Sequence, residues 1–282
     1  MSIIDAIILG LVQGITEFLP ISSTGHLTLA GKLLHLVDPL NPDHWTAFIA
    51  VIQLGTLAAV FIYFLKDIIN IVKSFLSENV SKRKKFSEQS QDSRMGWLII
   101  IGTIPVVIIG LGFKKIIEGN LTKDLWVIAS SLIVLAIILA IAEKTAKFKK
   151  EIKDIKVKDA LVIGIAQCFA LIPGSSRSGT TITGGLFMGL TRESAARFSF
   201  LLSMPAVFAS GLLEIKESIK FVHVDMAINI VIATVVAGIS GYLAIDLLLK
   251  YLRKNTTFVF IYYRIAIGVI ILTLLYFNYI QP

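Results

Sequence analysis

Hydrophobic and polar positions along the chain alternate in blocks rather than at helical or strand spacing. Six blocks, near 45–65, 97–117, 125–142, 196–213, 226–248 and 258–280, stay apolar over about the 20 helical residues that cross a hydrocarbon core. Each predicts a transmembrane helix. Two further apolar blocks fall short. Residues 3–19 carry Gln13 and Glu17 and then meet Pro20 and the run Ile21-Ser22-Ser23-Thr24-Gly25-His26. Residues 160–172 meet Pro173 and Gly174-Ser175-Ser176-Arg177-Ser178-Gly179-Thr180-Thr181. Each is followed by a second apolar piece, 27–36 and 182–190. An apolar piece this short reads as re-entrant, so both regions predict a helix–polar turn–helix hairpin dipping into the membrane. Broken backbone survives at that depth only where protein or a water-filled cavity satisfies it.

The two hairpins resemble each other. Gly10-Leu11-Val12-Gln13 precedes Pro20 and Ser22-Ser23, and Gly164-Ile165-Ala166-Gln167 precedes Pro173 and Ser175-Ser176, aligned with one residue of gap. Three spans follow each hairpin. An odd number of spans per copy forces opposite orientations. The expected fold is therefore an all-α polytopic membrane protein, with six transmembrane helices and two re-entrant hairpins in an inverted-topology repeat. It is a single integral membrane domain, with repeat 1 about 1–143 and repeat 2 about 158–282. Paired interrupted segments in such repeats point to a site at the repeat interface, near the midplane.

Composition agrees. Of the 282 residues, 55% are hydrophobic and 16% charged, with a mean hydropathy of +0.81. This excludes an ordinary water-soluble globule, a disordered chain and a nucleic-acid-binding domain. The net charge of +8 reads as cytoplasmic-loop charge. Loops 66–96, 143–159 and 250–254 hold seventeen Lys and Arg, against five (Lys114, Lys115, Lys123, Lys216, Lys220) in the opposite loops. That bias puts the first three loops in the cytoplasm and both termini outside. The run Lys82-Arg83-Lys84-Lys85 sits in a polar stretch, 77–94, expected as a solvated loop. The N-terminus lacks the basic region of a signal peptide. Cys168 reads as a small apolar filler.

Charged residues in membrane-buried turns are functional-site hypotheses by default; here they are Glu17, His26 and Arg177. Glu17 and Arg177 are expected to pair across the repeat interface. A structural ion pair would account for those two, but not for Ser22, Ser23, Thr24, Ser175, Ser176, Ser178, Thr180 and Thr181 in the same turns, of which N-capping uses about two. The turns suit a phosphate: each opens a helix whose N–H groups and dipole face the cavity. Arg177 adds a fork matched to phosphate oxygens. Glu17 would repel a phosphate unless a divalent cation, Mg²⁺ or Ca²⁺, lay between them. Ser23 and His26, three apart, form the minimal pair for an activated nucleophile. Arg264 is expected to snorkel to the cytoplasmic end of the last helix. Arg192, Glu193 and Arg197 read as an interface cluster, with Arg197 an outside candidate for the site. His35, His44 and His223 read as loop or interfacial residues.

Residues 13–26, from Gln13-Gly14-Ile15-Thr16-Glu17 through Leu19-Pro20-Ile21-Ser22-Ser23-Thr24-Gly25-His26, resemble the (E/Q)xxxE and LPxSSTGH motifs of the undecaprenyl-diphosphate phosphatase, or bacitracin-resistance, family. Pro173-Gly174-Ser175-Ser176-Arg177-Ser178-Gly179-Thr180-Thr181 resembles its PGxSRSxxT motif. The resemblance implies hydrolysis of undecaprenyl diphosphate to undecaprenyl phosphate and inorganic phosphate, recycling the lipid carrier of peptidoglycan synthesis. It further implies the bacterial plasma membrane, divalent-cation dependence, a homodimer and a site opening to the outer face. It assigns the metal and phosphate-site carboxylate to Glu17, the reactive hydroxyl to Ser23, the histidine to His26 and the phosphate-binding arginine to Arg177. Ser176 and Thr181 are supporting donors, and Ser22, Thr24 and Ser178 complete the substrate-binding set. Gln13 stands where other members have a glutamate; its amide can ligate a cation but cannot act as a base. Whether Ser23 or His26 is the nucleophile stays open.

Two other readings compete with this one. A phosphatidic-acid-type phosphatase needs a histidine downstream of Ser176-Arg177, and the next is His223. A polyprenyl-lipid flippase or transporter could use the same inverted repeat.

Overall fold

In the computed structural model, residues 1–37, 42–113, 124–218 and 224–280 are described. They form α-helices and short helical turns, with no strand among them and one isolated bridge, Lys150 to Leu190. The expected outer-loop residues Lys114, Lys115, Lys123, Lys220 and His223, and the side chains of His44 and Lys216, lie outside this description.

The first hairpin is α1 (Ile3–Phe18) and α2 (Ser23–Leu33). The chain continues through α3 (Pro42–Tyr63), α4 (Leu65–Leu76), α5 (Gln91–Gly112) and α6 (Leu125–Thr145). The second hairpin is α7 (Val157–Cys168) and α8 (Arg177–Phe187), followed by α9 (Arg192–Ser218), α10 (Val224–Leu252) and α11 (Phe258–Tyr276). Among the described residues, four helices are long and apolar enough to cross a membrane: α5, α6, α10 from Ala227, and α11. A fifth is counted if α3 and α4 are one broken span, bent by 75°. The block 45–65 is thus not one straight helix. The chain turns at Phe64, and α4 leaves Leu65, Ile69, Val72 and Leu76 exposed along one side, the spacing of an amphipathic face. The block 196–213 lies within α9, which carries Pro205 inside it.

The stretch 77–94 is more ordered than a solvated loop. A π-helical turn spans Ser77–Ser81, and Asn79 bonds Ser93, Gln89 and Trp97. Buried Glu78 caps the Ser90 N–H at 2.8 Å. The three basic loops gather at one end of the molecule. Phe86 and Arg94 line a cleft with Ile152 and Lys156. Arg192 and Thr257 converge on buried Glu143, and Arg253 pairs with Glu193 at 2.8 Å. Arg197 pairs with Asp67 at 2.8 Å in this charged layer; it is not part of the hairpin site.

Packing repeats between the halves. Helix α1 lies on α10 and α7 on α5; α10 also lies on α3 and α5 on α9, while α6 packs on α11. Equivalent glycines make the first two contacts possible. A Cβ on Gly10 would lie 2.5 Å from the Ala233 carbonyl oxygen, and one on Gly164 2.2 Å from that of Gly102. The hairpins align without the expected gap. A shift of 154 positions carries Ser2, which caps α1 with Asp5 in a capping box, to Lys156 and Asp159, and carries Ser22 to Ser176. The gap came from matching Pro20 with Pro173 and Ser22-Ser23 with Ser175-Ser176. The caps instead match Ser22 with Ser176, because that is where the backbone turns into each second helix.

Candidate active site

Each hairpin turns through a serine in an unusual conformation. Ser22 (φ 77°) and Ser176 (φ 68°) are the N-caps of α2 and α8, and their hydroxyls accept from the N–H of Gly25 and Gly179. The left-handed backbone costs a β-carbon-bearing residue energy; the cap hydrogen bond offsets part of it. The outcome is that the next residue, Ser23 in one hairpin and Arg177 in the other, opens its helix at the break.

These two side chains meet at Glu17, on the last turn of α1. The Arg177 Nη2 donates to Glu17 Oε1 at 2.6 Å, and the Ser23 hydroxyl donates to Oε2 at 2.6 Å. The expected pairing of Glu17 with Arg177 is therefore present. Two amides complete the carboxylate's shell, Gln13 on Oε2 and Gln53 on Oε1, both at 3.1 Å. Glu17 is 6% exposed. A carboxylate so deep in an apolar protein needs such partners to remain charged. Arg177 spends only one of its nitrogens here. Its Nε and Nη1 are buried and unpartnered, two donors of a planar fork left for another anion.

His26 lies in the same turn but is not bonded to Ser23. Its Nδ1 lies 2.7 Å from the Ser22 carbonyl oxygen and its Nε2 2.7 Å from the Tyr263 hydroxyl, with the two rings stacked 5.5 Å apart. A carbonyl only accepts, so Nδ1 carries a proton; in the neutral ring, Nε2 then accepts a hydrogen bond from the Tyr263 hydroxyl. The expected Ser23–His26 pair is thus replaced by Ser23–Glu17 and His26–Tyr263. Helical spacing put both residues near the break, but the serine sits at the first residue of α2 and turns toward α1.

The other predicted residues divide. Ser178 bonds the Leu19 carbonyl oxygen at 3.1 Å and Ser176 at 3.2 Å, joining one tip to the other. Thr181 is buried against Ser199 and the Arg177 carbonyl oxygen, supporting α8 from behind. Thr24 is exposed and takes no part in these bonds.

The residues fit a divalent cation in one particular way. Among the described residues no group of three or more His, Cys, Asp and Glu could hold one. Glu17 supplies one carboxylate, Ser23 a hydroxyl and Gln13 a buried amide oxygen with no partner. That oxygen set is too small for a protein cage, but Mg²⁺ is commonly held by one or two carboxylates together with substrate phosphates.

The sequence profile of the family described as bacitracin resistance protein BacA matches residues 6–270. The chain belongs to this family. It is 57% identical over 268 residues to an undecaprenyl-diphosphatase of Syntrophobacter fumaroxidans, covering 95% of each chain. Similar proteins of the same name occur in Chloroherpeton thalassium, at 52% identity over 98% of this chain and 97% of the relative, and in Myxococcus xanthus, at 49% over 100% and 92%. The profile spans both hairpins.

Two contributors, Gln53 and Tyr263, were missed in the sequence, and a third, Arg264, was expected elsewhere. Gln53 is a lone amide in the apolar block 45–65, and that isolation was its signal. Tyr263 and Arg264 are adjacent on α11. Arg264 does not snorkel: it is 0% exposed, with hydrogen bonds to the carbonyl oxygens of Leu132, Pro20 and Ser175. Helix α11 is apolar all round, so nothing in the pattern marked which face turns inward.

Proposed function

We propose that this chain hydrolyses undecaprenyl diphosphate to undecaprenyl phosphate and inorganic phosphate in a bacterial plasma membrane, thereby recycling the lipid carrier for peptidoglycan synthesis and conferring resistance to bacitracin. One observation carries the reading. Side chains from two polar breaks far apart in the chain, Ser23 and Arg177, meet on one buried carboxylate, Glu17, in a family whose relatives are named for this reaction.

In this reading the free nitrogens of Arg177 and the N–H groups opening α2 and α8 hold the terminal phosphoryl group. Glu17 takes the proton of Ser23 as its oxygen attacks the terminal phosphorus. The bond from that phosphorus to the bridging oxygen breaks, and undecaprenyl phosphate departs with the electron pair. Water then hydrolyses the phosphoserine, its proton passing to a base of the site and the serine regaining its own. His26, with Nε2 released from Tyr263, serves as acid or base. A divalent cation held by Glu17, Ser23 and Gln13 would neutralise charge on the phosphate oxygens.

The finer architecture belongs to the same proposal. Six spans and two re-entrant hairpins form inverted repeats, about 1–143 and 158–282, supported by the shared caps and the paired packing of α1 on α10 and α7 on α5. The basic end lies in the cytoplasm, the site opens outward, and the enzyme is a homodimer. Thiol probes placed by Ser81→Cys and Lys153→Cys in a Cys168→Ala background would label only from the cytoplasm; labelling of either from outside overturns the orientation.

The decisive experiment is phosphate release by purified protein in detergent from a C55-type polyprenyl diphosphate, with and without chelator. Release that chelator suppresses and Mg²⁺ or Ca²⁺ restores is expected. No release overturns the activity, and release indifferent to chelator overturns the cation. A phosphohistidine trapped at His26 in Ser23→Ala would reverse the two roles.

A further inference from the structure

Among the described residues, Arg264 is the largest side chain that is fully buried. An arginine inside a membrane protein is costly and normally answers an acid or lines a water path. This one has neither a carboxylate partner among the described residues nor solvent exposure. Its three hydrogen bonds go to main-chain oxygens in three separate parts of the chain: Nε to Leu132 on α6 at 3.2 Å, Nη1 to Pro20 at 3.4 Å and Nη2 to Ser175 at 2.9 Å.

The last two acceptors decide what the residue does. Pro20 lies two residues before the cap Ser22, and Ser175 immediately before the cap Ser176. Both belong to the breaks, where helical hydrogen bonding has lapsed and carbonyls need donors from elsewhere. One guanidinium thus supplies both hairpins at once. Helix α8 approaches closely at the same point, since a Cβ on Gly179 would lie 2.7 Å from Nη1. The charge adds a second consequence. Glu17 is already neutralised by Arg177, so Arg264 leaves the buried cluster with one positive charge in excess, complementary to an anionic substrate.

We propose that Arg264 is a positioning residue for the phosphatase reaction, holding the two breaks in the register that brings Ser23 and Arg177 onto Glu17, while its unmatched charge favours the diphosphate. The inference deepens the proposed function and rests on it. A planar five-donor fork satisfies three diverging carbonyls; a lysine ammonium at the end of a flexible stem cannot reproduce that directionality. Misplacement of reacting groups by about 1 Å costs about 100-fold in rate.

The test uses the full chain in detergent with a polyprenyl diphosphate, comparing Arg264→Lys and Arg264→Ala with the parent for kcat, KM and melting temperature. Failure of the parent to release phosphate would remove the functional reading itself, whatever the variants do. With an active parent, Arg264→Lys should keep KM within about threefold and lose about 100-fold in kcat. Arg264→Ala should lose a similar factor in kcat and also raise KM, and millimolar guanidinium, well below denaturing concentration, should restore part of its kcat. Parental kcat in Arg264→Lys, or a melting-temperature drop in Arg264→Ala without loss of kcat, overturns the proposal. If Arg264→Ala does not fold, Arg264→Lys decides alone; if neither folds, the residue is structural and the proposal fails.

Discussion

Ser22 and Ser176 stand at equivalent points of two hairpins that share backbone, caps and closing turns yet present different side chains. Both adopt positive φ and both cap a glycine three residues on. Their second helices are capped alike, by Leu34 and Met188, with the next residue, His35 (φ 55°) or Gly189 (φ 82°), again at positive φ. The chemistry is not shared. The shift that superimposes the caps sets Ser23 against Arg177, His26 against Thr180 and Glu17 against Leu171. Helix α1 runs unbroken to Phe18, whereas α7 stops at Cys168 and gives way to a 3-10 turn, Phe169–Leu171. A repeated scaffold therefore brings two helix starts together, and the site arises because each copy contributes a different half. The first supplies carboxylate, hydroxyl and imidazole; the second supplies the guanidinium.

The sharpest way to break this asymmetry is to give the first hairpin the residue of the second. Glu17→Leu should abolish activity to about 10⁴ below the parent, the upper end for loss of a general base. It also strands Gln13, Gln53 and Arg177, whose bonds all end on that carboxylate. Glu17→Gln should fail as severely and lose any response to Mg²⁺ or Ca²⁺. Stimulation of that variant by either cation, read as phosphate release, would take Glu17 out of the cation's ligand set.

On the other side, Arg177→Lys keeps the charge but not the fork. It should cost about 10²–10³-fold, comparable to removing one preorganised donor from an oxyanion site. The loss should fall on kcat as well as KM, because Nε and Nη1, the two unpartnered nitrogens, are the ones a transferring phosphoryl group would use. Turnover near the parental rate would reduce Arg177 to an electrostatic or structural role.

How far these halves could be read beforehand follows from what sequence pattern encodes. The breaks were legible because Pro20, Pro173 and runs of small polar residues interrupt apolar blocks, and the Glu17–Arg177 pair because two opposite charges at such breaks need each other. What was not legible was direction. Ser23 and His26 lie three apart, yet one turns to Glu17 and the other to Tyr263. Spacing fixes proximity along a helix and not which neighbouring helix a side chain meets. Gln53 and Arg264 were hidden for a related reason. In a span apolar on every side, periodicity carries no signal of the inward face, so a single polar residue could be assigned to either end or ignored. The 75° turn at Phe64 was equally silent, since neither proline nor glycine marks it.

A smaller effect is expected at His26. It is bonded to Tyr263 and not to the Ser23 hydroxyl, which donates to Glu17. His26→Ala should therefore retain slow turnover, down about 10²-fold, the lower end for acid–base assistance, with His26→Gln similar because an amide cannot shuttle protons. Ser23→Ala should fall further than either. Equal losses in Ser23→Ala and His26→Ala, measured side by side as initial rates of phosphate release, would mean the two act as one unit despite the separation of their hydrogen bonds.

The smallest effect tests the shared scaffold itself. If Ser22 and Ser176 are equivalent caps, removing each hydroxyl should cost the same stability. Ser22→Ala and Ser176→Ala should each lose about 0.5–2 kcal/mol, because alanine surrenders the cap and keeps a β-carbon in the left-handed region. Glycine surrenders the cap but is at ease at positive φ, so Ser22→Gly and Ser176→Gly should be more stable than the alanine variants, in both hairpins and by similar margins. Ser176 also bonds Ser178, which adds a little to its side. Melting temperatures of the four proteins in one detergent decide the matter. Matched pairs would establish that both hairpins rest on the same cap. A large penalty at Ser22 with none at Ser176 would mean that the common geometry is held by different forces, with the first hairpin depending on its cap and the second on the packing of α8 between α7 and α9.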